Sequence, residues 1–263
     1  MTVRSLPERD PTIDALGGDQ RALLAAIWTG RAASELGAGA AFAMVERDLV
    51  ALGAEPAVLE LVAKAVADEP VHAELCRRLA AAYAGEQVAA PEPIADIEMP
   101  RYGDDPVLCR HLHVVAMCCI NETLACAFVE ACLADANGPL VKSIHRQHLG
   151  DEIHHARIGW AHLASRAVDD RVRAAIASWL PRLLDANVRH WEDRICTLPR
   201  DGVPGHALPP VATLVAAARD AIATLVLPGF DHVGVDTTAA RAWFAVFGSD
   251  ASARMRSSSE PRR

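Results

Sequence analysis

Residues 147–155 read Gln-His-Leu-Gly-Asp-Glu-Ile-His-His, and an echo of their centre occurs upstream, where residues 68–72 read Asp-Glu-Pro-Val-His. Each stretch contains Glu-x-x-His preceded by Asp. On a helix that spacing puts the carboxylate and the imidazole on one face, a turn apart. The surrounding periodicity supports helices at both places. One helix is predicted over about 19–52, ended by Gly53-Ala54-Glu55-Pro56, and a second from there to about Tyr83, ended by Gly85. Residues 86–104 carry three prolines and little periodicity, so they read as a long connection. A third helix is predicted over 105–135, a turn at Asn137-Gly138-Pro139, and a fourth helix over 140–168. Two hairpins of helices, each rod roughly 45 Å long, joined by one long crossover, define an all-α, ferritin-like four-helix bundle.

Beyond the bundle, residues 169–196 read as a fifth helix interrupted near Pro181. A Pro/Gly-rich loop follows at 199–210, then a helix over 211–227 and a short segment at 241–247. The expected organisation is an N-terminal extension (1–18), then one helical domain (19–247) comprising the bundle (19–168) and added helices (169–247). A flexible tail (248–263) would end the chain.

Composition narrows the class. The 263 residues are 51% hydrophobic and 23% charged, which excludes wholesale disorder. With 26 basic against 34 acidic residues the net charge is −8, and a nucleic-acid partner is not expected. Only Lys64 and Lys142 are lysines. Seven cysteines without a Cys-x-x-Cys pair make neither a disulfide framework nor a zinc finger. The N-terminus shows no apolar signal region, and no apolar run reads as a membrane span, so a cytoplasmic protein without a membrane partner is expected.

The partners of the two motifs follow from height along each hairpin. Glu69 lies 15 residues past a turn at about 54; Glu35 lies 19 before it and Glu46 only 8 before it. The axial mismatch is roughly 6 Å for Glu35 and roughly 10 Å for Glu46, so Glu35 is preferred. About the second turn, near 137, Glu152 lies 15 beyond and Glu122 15 before, whereas Glu130 lies 7 before. Glu35 and Glu122 both interrupt small, apolar surroundings, where an acidic residue is rarely buried unless paired or metal-bound.

Hard carboxylate oxygens with a few imidazoles suit iron or manganese. Four carboxylates match two divalent ions and would be costly to bury without them. Asp68 and Asp151 are placed to accept from the ligand histidines. His148 lies four residues before Glu152, giving His-x-x-x-Glu-x-x-His and a third imidazole on the ligand stripe. The nearby Cys118 and Cys126 read as small core residues. Gly37, Ala38 and Gly39 read as close helix packing or room for a substrate. Trp191 and His190 read as anchors of the fifth helix or as an entrance. His154 reads as a neighbour of the ligands or a surface residue, and His111 and His113 as surface or satisfied core residues.

The set Glu35, Glu69, His72, Glu122, His148, Glu152 and His155 resembles the p-aminobenzoate N-oxygenase family of ferritin-like non-haem di-iron oxygenases, over about residues 19–168. The resemblance implies two iron ions (manganese being the alternative), O2 as co-substrate and an external electron donor, either a reductase or a small molecule. It implies oxidation of an arylamine or other small amine toward hydroxylamine and nitro products, in a monomer or homodimer. This chain is short for that family, and Pro70 sits between two of the ligands. The competing expectations are an iron-handling ferroxidase, a di-iron hydroxylase or oxidase acting on C–H bonds, and a non-catalytic helical scaffold.

Overall fold

The structure, a computed structural model, describes residues 5–94 and 97–257, the last ten by backbone alone. Four long rods make the bundle. They are α2 (Gly18–Ala51), α3 (Pro56–Ala84), the continuous run of α4 (Pro106–Val114), a π-helical segment (Val115–Asn121) and α5 (Glu122–Asp135), and α6 (Pro139–Ala164). A short α1 (Pro11–Asp14) precedes them. After them come α7 (Asp170–Cys196), α8 (Val211–Ala221), a second π segment (Ile222–Val226), α9 (Leu227–His232) and α10 (Thr238–Ser257). No strand occurs among the described residues, only an isolated bridge between Val203 and Leu208. The architecture is an all-α bundle with one long crossover and added C-terminal helices, the ferritin-like arrangement.

Local chemistry sets the helix ends. Pro56, Pro106 and Pro139 each occupy the first turn of a bundle helix, where the missing N–H costs nothing. Gly85, at φ 76°, closes α3 in the left-handed conformation that glycine favours. The N-terminal extension does structural work: buried Asp10 accepts from Thr12 N at the start of α1 and from Leu140 N (3.0 Å) and Val141 N (3.4 Å) at the start of α6. One carboxylate thus caps two helices.

The core is divided by height. Trp28, Leu75, Leu79, Tyr83, Val141 and Ile144 fill one end of the bundle. Phe42, Val45, Leu49, Val62, Ala65 and Ile158 fill the other. Between these plugs, each rod passes through a polar layer: Glu35 on α2, residues 68–72 on α3, Glu122 at the start of α5, and residues 148–155 on α6. A third apolar cluster lies beneath the added helices, where Leu112, Ile120 and Leu124 meet Leu180, Leu184 and Phe230.

Several sequence expectations change here. Helix α7 runs unbroken through Pro181, because Leu180, Leu183 and Leu184 bury around it and hold the rod on the core. Residues 248–257, expected in the tail, extend α10; residues 258–263 lie outside the described residues. Pro106–Asp135 and Val211–His232 are long and apolar enough, by length and composition, to cross a membrane, against the expectation that no run is. The first is a core rod of the bundle, buried over much of its length, and carries Glu122; the second docks Leu214, Val215, Ile222 and Val226 inward.

The crossover is tied down along its length. Arg77 Nη1 donates to Val88 O (2.9 Å), Tyr102 N to Cys109 Sγ (3.4 Å), and His113 Nε2 to Pro100 O (2.7 Å). The other ring nitrogen of His113 pairs with Asp48 Oδ2 at 2.7 Å. Although burial opposes it, those two partners raise the His113 pKa.

The π segment sits against Gly159 of α6. A Cβ there would lie 2.4 Å from Cys119 Sγ, 2.9 Å from Cys119 N and 3.0 Å from Cys118 Cβ. Gly159→Ala should therefore push α6 from the π segment and destabilise the fold by about 1–3 kcal/mol. Urea unfolding checks this; an unchanged midpoint would show that the two rods do not need this closeness.

Candidate metal centre

The polar layer is buried throughout. Glu35, Glu69, Glu122 and Glu152 are 8%, 1%, 3% and 3% exposed, and His72, His148 and His155 are at most 2% exposed. On α3, Glu69 and His72 are one turn apart, with His72 Nδ1 3.5 Å from Glu69 Oε2. On α6, His155 Nδ1 is 3.5 Å from Glu152 Oε2, and His148 Nε2 meets Glu152 Oε1 at 2.8 Å. Across the bundle, His72 Nδ1 is 3.5 Å from Glu152 Oε1 and His155 Nδ1 is 3.3 Å from Glu69 Oε1. Glu35 Oε2 approaches His148 Nε2 at 3.8 Å, and Glu122 Oε2 approaches His155 Nδ1 at 3.8 Å.

The seven residues singled out in the sequence thus occupy one layer. Two groups of potential ligand atoms, each within 4.8 Å of one another, are Glu35, His72, His148 and Glu152, and Glu69, His72, Glu152 and His155. Glu152 and His72 belong to both. Glu122 lies outside both groups, at the edge of the second beside His155.

The outward ring nitrogens are crossed between motifs. His155 Nε2 on α6 meets Asp68 Oδ2 on α3 at 3.2 Å, while His72 Nε2 on α3 faces Asp151 Oδ2 on α6 at 3.5 Å. Each aspartate therefore serves the histidine of the other motif. Lys64, one turn before Asp68, contacts Asp68 directly and Asp151 at 3.3 Å, joining the two carboxylates from outside. Pro70 leaves α3 unbroken, and Glu69 and His72 on either side of it both face the layer. His154 is only half-buried, off the stripe.

Electrostatics follows from this crowding. Burial would lower the His72 pKa, yet Asp151 and Glu69 raise it to about 10. Burial would likewise lower the His155 pKa, yet Asp68, Glu152 and Glu69 raise it to about 12. Glu122 is pushed well above the usual range by burial and by Glu152, and Glu35 is raised by burial against the opposing pull of His148. Glu152 moves the other way: despite burial, His148 and His155 hold it well below the carboxylate range. Asp151 is lowered to about 2, first by His72. Without a cation, burial and crowding thus favour the protonated forms of His72, His155 and Glu122.

The donor set fits a pair of divalent transition-metal ions. Glu69 Oε2, Glu152 Oε2 and the Nδ1 atoms of His72 and His155 are buried with no hydrogen-bond partner, which is costly unless something coordinates them. Oxygen and imidazole donors suit iron, manganese or cobalt over thiolate-seeking ions. The buried Cys76 comes no nearer than 3.9 Å to Glu35 Oε1.

Space adjoins the layer. A cavity of about 70 Å³ is bounded by Glu35, Glu122, His148 and Glu152 on one side and by Arg31, Trp191 and Arg194 on the other. Arg31, Ser34, Trp191 and Arg194 also line a pocket of about 550 Å³ walled by Trp28, Ile27 and Phe128. A second pocket, about 520 Å³, lies under the crossover and shares Ser34, Ala38, Asn121 and Arg194 with the cavity. Gly37 and Ala38 line this second pocket, whereas Gly39 packs on Glu69, where a Cβ would come within 3.1 Å. Both Trp191 and His190 face pockets. His111 is a satisfied core residue, its Nδ1 3.0 Å from His162 Nε2.

Three residues at the layer escaped the sequence reading. Lys64 had a signal: it is one of two lysines and stands four residues before Asp68. Arg31 stands four before Glu35 and lies 3.9 Å from it, over the rings of Trp28 and Phe128. Asn121 had none; its amide donates to Glu122 Oε1 at 2.9 Å. Comparison with protein-family models, with curated proteins and with solved structures finds no match to this chain.

A glutamate whose pKa is raised by folding contributes stability below its unfolded value, near 4.5, and loses it as pH rises toward the folded value. Glu122→Gln should therefore stabilise the chelator-treated protein at neutral pH, by about 1 kcal/mol or more, roughly 2–4 °C in Tm. The gap between variant and wild type should widen from pH 5 to 8. Thermal melts at several pH values in chelator check this, and a constant gap would contradict it.

Proposed function

We propose that this chain is a non-haem di-iron oxygenase whose centre is held by Glu35, Glu69, His72, Glu122, His148, Glu152 and His155, and that it transfers oxygen to a small amine. The observation that carries the reading is the pair of buried ligand groups sharing Glu152 and His72, with their unpartnered oxygen and nitrogen atoms facing one another. Two ferrous ions held there would supply the electrons for O2 activation, to be replenished by an external donor. Manganese fits the same donors.

The roles of the side chains follow from position. Glu152 and Glu69 stand at the centre and face both histidines. Glu35 and His148 complete one side, and Glu122 the other. Asp68 accepts from the outward nitrogen of His155 and Asp151 faces that of His72 at 3.5 Å, leaving Nδ1 of both rings to the centre. Charge balances as well. Four glutamates and two aspartates are offset by two divalent ions together with Lys64 and Arg31.

The substrate class rests on the adjoining space. The 550 Å³ pocket has the size of a small organic ligand, aromatic walls at Trp28, Phe128 and Trp191, and two guanidinium groups at its inner end. It favours an organic substrate over iron itself. An aromatic amine stacked there would present its nitrogen toward the small cavity beside Glu35 and Glu122. The resemblance to the p-aminobenzoate N-oxygenases, which rests on His148 beside the six other ligands, supports nitrogen over carbon as the atom oxidised.

Anaerobic Fe(II) titration followed by metal analysis should give about two ions per chain. Glu122→Ala should lower this to about one, while exposed Glu130→Ala should retain two. Equal losses in both variants would refute the placement of Glu122, and a wild type that binds no metal would refute the centre. His148→Ala should keep two ions but change the rate of O2 consumption in the presence of an arylamine. An unchanged rate would remove His148 from the set.

A further inference from the structure

We propose that Trp191 and Asn121 are positioning residues, a hydrogen-bonded relay from α7 that sets the orientation of the Glu122 carboxylate. This rests on the reading of Glu122 as a metal ligand. Trp191 Nε1 donates to Asn121 Oδ1 at 2.9 Å, and Asn121 Nδ2 donates to Glu122 Oε1 at 2.9 Å.

The indole N–H can only donate, and Glu122 Oε1 receives the amide of Asn121, so the group between them has to accept at one end and donate at the other. A primary amide has a donor and an acceptor end, and here each end meets its complement. The contact to Glu122 is between consecutive residues, which do not ordinarily face each other on a helix. It occurs where the π segment ends at Asn121 and α5 begins at Glu122. With Oε1 engaged by the amide, Oε2 is the oxygen turned toward His155, at 3.8 Å. The relay thus selects which oxygen of Glu122 faces the centre.

Its outer end is equally constrained. The Trp191 ring lies 5.5 Å from that of Phe128, tilted 44° to it, and Arg194 lies over its face at 5.8 Å. The same indole borders both the large pocket and the small cavity. A ring entering the pocket therefore presses on a group connected, through two hydrogen bonds, to Glu122.

The test uses the full chain in two states. In the metal-free protein, the five indole N–H signals of a ¹⁵N-labelled sample include one lost in Trp191→Phe. Asn121→Ala should shift that signal upfield, as loss of its acceptor requires. In the Co(II)-loaded protein, Trp191→Phe and Asn121→Ala should move the visible absorption bands in the same direction at unchanged cobalt stoichiometry. The double variant should move them no further than Asn121→Ala alone. Trp160→Phe, whose indole packs on Phe230 at 5.0 Å, should leave the bands in place. Cobalt bands of Trp191→Phe that superimpose on wild type, or a double variant equal to the sum of the singles, would overturn the relay. A wild type that takes up no cobalt would overturn the metal reading itself, and the relay's role with it, whatever the indole signal shows.

Discussion

Four glutamates and three histidines share one layer of a helical bundle, sealed above and below by apolar side chains. Burying an unpaired carboxylate costs several kcal/mol at least, and here four are brought together. Their mutual repulsion has to be met by cations, protons or both. That requirement governs the rest of the layer: His72 and His155 point Nδ1 inward and His148 its Nε2, Asp68 accepts from the outward nitrogen of His155 while Asp151 faces that of His72, and Lys64 and Arg31 close the rim. The apolar plugs matter to the same balance, because excluding water strengthens each of these interactions.

Much of this was legible because helical geometry is periodic. Glu-x-x-His marks one face, and counting from each turn discriminates between candidate partners. Glu122 over Glu130 follows from height alone, and Glu130 is exposed. Glu35 over Glu46 follows less strongly, yet Glu35 lies beside His148. The π segment was not legible. Val115–Asn121 is an apolar run without glycine or proline, and nothing in it announces a wider turn. What accommodates it is a glycine 38 residues or more downstream, Gly159, whose missing side chain lets α6 approach Cys118 and Cys119.

Proline misled in one place and not in another. Pro70 and Pro181 both sit inside unbroken helices, each flanked by residues buried on the core. Packing there outweighs the lost hydrogen bond, as tertiary context often does. The expectation that no run has the composition of a membrane span failed as well. A rod that lies at the centre of a bundle is apolar on most sides, so Pro106–Asp135 has the composition of a membrane span while carrying Glu122 and Asn121 inside.

The crossed aspartates have a bearing on how the molecule comes together. Asp68 and Glu69 are made in the first hairpin, but the imidazole they serve, His155, arrives with the second; Asp151 and His72 stand in the reverse relation. Neither hairpin alone contains a complete set of donors with oriented rings. A nascent chain that has folded only α2 and α3 thus lacks the finished donor layer. If the layer holds the proposed ions, their capture is an event of docking, and a loaded centre marks a chain whose two halves have met.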